Sequence, residues 1–427
     1  MKKTSLLKIF AVLALAILSF AACNTNTKNN TQKSNTKPNI SMIEAVKTGD
    51  EQAVKYYIKS GEDVNQKDEH GWPLIISAAR QGSPSIIKLL IKAGANVNDK
   101  TIHDFTPLMW ASTIGKTDAV KELLANGANV NAKDDMGMTA LIYASMEGQT
   151  DVIKTLIAAG ADVNAQDDNN MTALMWASLN GNKDIIKELT RAGANVNAQG
   201  KKGVNALMLA SLLGNVEAVK ELISAGANVN ITSDLWSEEL IRAISNKNIE
   251  EIAKAFYTTL ATKETEISEK DMTPLMYATM EKHIDVIKEL IAAKANVNLK
   301  TNYDVTALMI ASTTRVDIVK EIISAGADVN AKDMYGISAL MTASSLPNTD
   351  ILKILISAGA DVNAKNIDGL TPLMYASYEG QIENVKELIA AGANVNAQSK
   401  KGKTALTVAN KKGNTEIVNL LKQAGAK

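Results

Sequence analysis

Cysteine is almost absent: the chain has one in 427 residues. A single cysteine excludes an internal disulfide framework and any multi-cysteine zinc or iron–sulfur site. Histidine is nearly as scarce, with three residues, which leaves few general bases. Aromatic residues make up only 4% of the chain. A net charge is missing too, since Lys+Arg and Asp+Glu both number 46. Nucleic-acid binders show a strong basic excess, so no nucleic acid is implied as a partner. There is no G-x-S-x-G, no H-E-x-x-H and no G-x-x-x-x-G-K-S/T. The acidic pairs Asp134-Asp135 and Asp167-Asp168 fit turn formation better than paired catalysis. These absences predict a protein that is not an enzyme and needs no metal or cofactor. At about 150 residues per domain, the length alone would suggest roughly three domains.

What is present begins with an address. Lys2, Lys3 and Lys8 precede an uncharged run from Ile9 to Ala22, and Cys23 follows. A basic start, a short apolar run and small residues before a cut describe a secretory signal. The run is shorter than the about 20 residues of a transmembrane helix. Phe20-Ala21-Ala22-Cys23 resembles a bacterial lipoprotein lipobox, with Phe where Leu is usual. The resemblance implies a signal peptide at 1–22, cleaved before Cys23, and a lipidated Cys23 carrying acyl chains such as palmitate. More than one chain gives stable membrane anchoring. An ordinary signal peptide beside an incidental cysteine is the alternative. The implied location is the bacterial cell envelope, on the periplasmic side of the inner membrane, the outer membrane or the cell surface. Cleavage would remove three lysines and no acid, taking the net charge from zero to −3. That balance suggests no polybasic patch for anionic lipid, so the membrane is reached through the lipid alone. Residues 23–39 are rich in Asn, Thr and Lys and read as a disordered tether.

Residues 40–427 repeat. Glycines recur every 33 residues at Gly61, Gly94, Gly127, Gly160, Gly193 and Gly226, and again at Gly326, Gly359, Gly392 and Gly425. Most stand in a phrase such as Ala159-Gly160-Ala161-Asp162-Val163-Asn164. Further on comes a phrase such as Thr106-Pro107-Leu108-Met109-Trp110-Ala111-Ser112. The Thr is suited to an N-cap and the Pro to the first helical position. The apolar spacing predicts one helix there and a second over Asp151–Ile157, ended by a left-handed Gly160. Ser41 and Glu44 form a capping-box pattern for the first helix.

This pattern resembles the ankyrin repeat, whose signature is T-P-L-H-x-A at a period of 33. The resemblance implies an all-α ankyrin-repeat solenoid of about twelve stacked helix-turn-helix repeats with β-turn or hairpin loops. Met replaces the family's His at Met109, Met175, Met208, Met276, Met309, Met341 and Met374, and packs the core. Two places depart from the pattern. Residues 236–270 lack both phrases and read as a degenerate repeat, with a soft joint at 257–270. Lys294 stands where a Gly belongs.

In that family the loop tips and inner helices line a concave surface that grips partner proteins. By position, the resemblance makes His70, His103, Met136, Tyr303 and Tyr335 tip residues. Two further on stand Trp72, Phe105, Met138, Met171, Ile337 and Leu370. Near the end of the first helix stand Met146, Leu179, Leu212, Leu213 and Tyr378. Exposed aromatics and Met are enriched at interfaces, which makes all of these partner-binding candidates. Trp110, Tyr143, Trp176, Tyr277 and Tyr375 form a further column, read as core by its helical spacing. The function predicted is a membrane-anchored, non-catalytic protein-binding scaffold with a monomeric body and a protein partner of unknown identity. The alternative is an immunity or chaperone-like partner of an exported toxin or enzyme.

Overall fold

Thr106 shows how one repeat makes its elements. Its backbone is extended and its hydroxyl oxygen accepts from the Met109 N–H at 3.2 Å. Met109 Sδ stands 3.4 Å from the Thr106 nitrogen, so the methionine closes the cap from the other side. Helix α5 (Pro107–Thr113) starts with its proline where a missing N–H leaves nothing unpaired. All seven of its residues are buried. Helix α6 (Thr117–Ala125) buries only Ala119, Val120 and Leu123, one stripe at i, i+1 and i+4. Gly127 then turns left-handed at φ 85° and ends the repeat. The same cap recurs at Thr139, Thr172, Asn205, Thr273, Thr306, Ser338, Thr371 and Thr404. The Met column is buried throughout.

The structure, a computed structural model, describes residues 37–234 and 271–427. Twenty-two α-helices make eleven pairs among the described residues. They belong to two compact units. The described part of the first is residues 37–201 and holds five pairs; that of the second, 202–234 with 271–427, holds six. The described residues contain no strand, only isolated antiparallel bridges at the hairpins, such as Lys332 with Ser338. The first helices bury almost every side chain, and the second helices cover them on one side. The solenoid is therefore all-α, with hairpin loops. The signal segment, Cys23 and most of the tether lie outside the described residues.

Asparagine ties each repeat to the next. Asn131 Nδ2 donates to the Gly160 carbonyl at 3.3 Å, and Asn131 Oδ1 accepts from the Asp162 N–H at 2.8 Å. Asn98, Asn164, Asn298, Asn330 and Asn363 make the same pair of bonds. Each clamp satisfies one carbonyl and one N–H at the end of the following second helix.

The clamp also joins the two repeats that flank 236–270 in sequence. Asn230 Oδ1 accepts from the Asn296 N–H at 2.8 Å, across a gap of 66 residues. Helix α11 (Ala206–Leu212) packs directly on α13 (Pro274–Met280), and α12 (Val216–Ser224) on α14 (Ile284–Ala292). Ser233 and Met272 exchange both backbone hydrogen bonds at 3.0 Å, as halves of one hairpin. Among the described residues the flanking repeats are thus direct neighbours. Elsewhere a single residue, such as Asn169 between Asp168 and Asn170, fills the place where the chain here runs from Asp234 to Asp271. Asp271 takes the left-handed φ of 62° that Asn170 takes at 60°. Residues 235–270, the proposed joint included, lie outside the described residues.

Candidate protein-binding surface

Each hairpin is held from within by one side chain. Asp333 Oδ1 accepts from the N–H groups of Tyr335 at 2.9 Å and Ile337 at 2.8 Å. Asp68, Thr101, Asp134, Asp167, Thr301 and Asn366 do the same in their repeats. With both N–H groups paired inward, the residue between the cap and the tip is left facing out. The tips are also bonded to one another. In the first unit Asp135 N–H donates to the His103 carbonyl at 3.2 Å, and Asp168 N–H to Met136 at 2.9 Å. In the second, Met334 N–H donates to Tyr303 at 2.9 Å and Ile367 N–H to Tyr335 at 3.0 Å. Rigid backbone of this kind holds side chains in place without their own packing.

The predicted contact residues divide by burial. His70, Tyr335 and Tyr378 are exposed, the last two at 50%. Trp72, His103, Met136, Met146, Leu213, Tyr303, Ile337 and Leu370 are half-buried. Phe105, Met138, Met171, Leu179 and Leu212 are buried, at most 7% exposed. These five pack inward and offer no surface. Phe105 lies 5.0 Å from the Trp110 ring and 4.8 Å from Tyr143. Trp72 lies 5.1 Å from Trp110 at a tilt of 41°, and the Arg80 guanidinium caps both indoles at 5.7 Å. Of the aromatic column, Trp110, Tyr143, Trp176 and Tyr277 are core, and Tyr375 is half-buried.

Three exposed apolar residues escaped the sequence reading. Ile102 is 83% exposed, Met334 48% and Ile367 50%. Each follows its hairpin cap directly, one place before the tip, and that offset from the Asp, Asn or Thr would have found them. A second miss is electrostatic. Residues 398–427 contain seven lysines and one acid, Glu416, an excess that the chain-wide balance conceals.

Repeat period, paired helices, hairpin tips and asparagine clamps agree with one further finding. A family profile described as ankyrin repeats, three copies, matches residues 12–101, 42–134, 100–167, 141–233, 240–333 and 336–427. The chain belongs to the ankyrin-repeat family. No curated protein matches it. Ankyrin repeats serve chiefly as a protein-interaction fold, so this is a protein-binding frame.

Within this ankyrin frame the ionisable groups do structural work. Burial pushes the Asp134 carboxyl above the ordinary aspartate range, although Tyr143 Oη donates to it at 2.5 Å. Tyr375 meets an amide instead, since Asn366 Nδ2 donates to its Oη at 3.1 Å. Nδ1 of His103 lies 3.0 Å from Asp135, and Nε2 of His283 faces the Leu212 carbonyl at 3.2 Å. Among the described residues no group of three or more His, Cys, Asp or Glu side chains could hold a metal. No described helix is long and apolar enough to cross a membrane.

Proposed function

We propose that the protein is a lipid-anchored, non-catalytic ankyrin scaffold whose hairpin tips hold a protein partner at the bacterial cell envelope. The observation that supports this reading is the row of exposed apolar side chains on hydrogen-bonded tips. Met334, Tyr335 and Ile367 follow one another over adjacent repeats, and Tyr378 is exposed near the end of the helix that follows Ile367. A soluble frame leaves large apolar groups in sequence on its surface at a cost, and such patches mark contact sites. The backbone that presents them is already ordered, which lowers the entropy lost on binding. The second helices offer a contrast: their charges pair between repeats, as Lys88 with Glu122 and Lys353 with Glu387. The basic start, apolar run and Cys23 support the anchor. Acylation of Cys23 would hold a monomeric body at the membrane.

Two measurements test the two halves. Affinity capture with the full chain is compared with Met334→Asp and Ile367→Asp. Recovery of the same proteins at equal yield from the variants would remove the tips from the contact. Metabolic labelling with a palmitate analogue is compared with Cys23→Ser. Label retained by the serine variant would remove the anchor.

A further inference from the structure

The last repeat departs from every other in its charge, and its lysines stand in the columns just assigned to partner contact. Lys400 occupies the column of Met334 and Ile367. Lys401 occupies that of Tyr303, Tyr335 and Asp368, and Lys403 that of Ile337 and Leu370. The tip is fixed to its neighbour, since Lys400 N–H donates to the Asp368 carbonyl at 2.8 Å. All three lysine side chains are exposed.

What sets the three apart is that they stand together on one tip. Some lysines of the second unit reach carboxylates, as Lys353 reaches Glu387 at 3.1 Å and Lys386 reaches Glu383 at 2.7 Å, while others such as Lys288 and Lys320 stand singly on second helices. Among the described residues Lys400, Lys401 and Lys403 have no carboxylate within ion-pair distance. Helix chemistry does not account for them. Lys411 and Lys412 end the helix Ala405–Lys412 and complement its dipole, but the other three precede that helix. Lys412 also covers an apolar contact candidate, its Nζ 3.7 Å from the Tyr378 ring centroid.

We propose that this end of the second unit docks an acidic segment of a protein partner, whose apolar side chain rests among Tyr335, Ile367 and Tyr378 while its carboxylates meet Lys400, Lys401 and Lys403. The proposal rests on the protein-binding reading above and names the partner's chemistry. An extended segment fits better than an anionic membrane. Acids interrupt the strip, with Asp368 at the tip beside Ile367 and Glu379 beside Tyr378. A plane of lipid phosphates would meet those acids together with the lysines. A peptide can place its charges between them.

The test is selection of a random dodecapeptide phage library on the full chain. The same library is selected on Lys400→Glu/Lys401→Glu/Lys403→Glu, and on the milder Lys400→Ser/Lys401→Ser/Lys403→Ser in case charge reversal disturbs folding. Lys154→Glu/Lys288→Glu/Lys320→Glu changes three exposed second-helix lysines and controls for net charge. The expected result is enriched peptides that combine Asp or Glu with an aromatic or large aliphatic residue. Synthetic copies should bind at least tenfold more weakly to both tip variants, and unchanged to the control. Enriched peptides that are not acidic, or that ignore the tip lysines, would overturn the acidic strip and leave the scaffold reading standing. No enrichment on the wild-type chain would overturn both. Binding to phosphatidylglycerol vesicles that the tip variants lose, with no acidic peptide recovered, would give the strip to the membrane and overturn the proposal.

Discussion

Trp110 in the first unit and Ile310 in the second hold the same place on their helices, yet only the tryptophan is buried. The positions around them follow suit. Phe105, Met138 and Met171 close over the first unit's helices, whereas Val305, Ile337 and Leu370, in the same column, remain half-buried. Large side chains in the first unit consume one another's surface: Trp72, Trp110, Phe105 and Tyr143 form an unbroken run of ring contacts. Around Tyr335 in the second unit the side chains are smaller and the tips are bare, although its Val204 and Met272 are buried and the first unit's Ile102 is 83% exposed. One frame thus spends the same columns on cohesion around Trp110 and on exposed surface around Tyr335.

Truncating the aromatic run would break the contrast most strongly. Trp110→Ala removes the ring that Trp72, Phe105 and Arg80 all touch, and should cost about 3–5 kcal/mol. Tyr335→Ala, at an exposed tip, should cost less than about 0.5 kcal/mol. Urea unfolding of the two variants gives the comparison, and equal losses would show that the tip in the second unit is core after all. Next in size is Lys294→Gly. Lys294 holds the left-handed φ of 64° that glycine takes in the other repeats, and the added freedom should stabilise the second unit by about 1 kcal/mol. A lower thermal midpoint would count against it.

Smaller, but more pointed, is an exchange of the paired caps. Asn366 makes with an amide the hairpin bonds that Asp134 makes with a carboxylate. The folded value of Asp134 is raised above the ordinary 3.8, so its contribution is fully present below that pH and is lost as pH rises through the folded value. Asp134→Asn should therefore gain on the wild type as pH climbs from about 4, while the difference stays flat in acid. A pH series of urea midpoints reads the slope, and a constant offset would assign the carboxyl no part in it. The smallest effect is expected when residues 235–270 are replaced by one asparagine. Ser233 and Met272 already pair without them, so the second unit's unfolding midpoint should hold to within about 0.5 kcal/mol.

The frame was legible because its signals are local. Thr106 and Pro107 announce a helix start, Gly127 a left-handed end, and Asn131 the phrase between them, each by the chemistry of one residue. Burial at the tips was not legible, since Phe105 is covered only because Trp110 and Tyr143 are large. That is a property of neighbours one repeat away. Spacing says equally little about how the repeats that flank 236–270 meet. The spacing from Gly226 to Lys294 is close to two periods, which suggested a layer. Counting residues cannot see that Asn230 reaches Asn296 directly.

That clamp has a consequence for how such a chain can change. Each asparagine meets only main-chain atoms of the following repeat, a carbonyl and an N–H that any sequence supplies. The clamp itself therefore demands almost nothing of the side chains around it. A gene segment encoding 33 residues could be copied, lost or moved, and the clamp would still form. Tip residues are then free to vary repeat by repeat, and the order of repeats becomes a text that recombination can rewrite without touching the binding between pages.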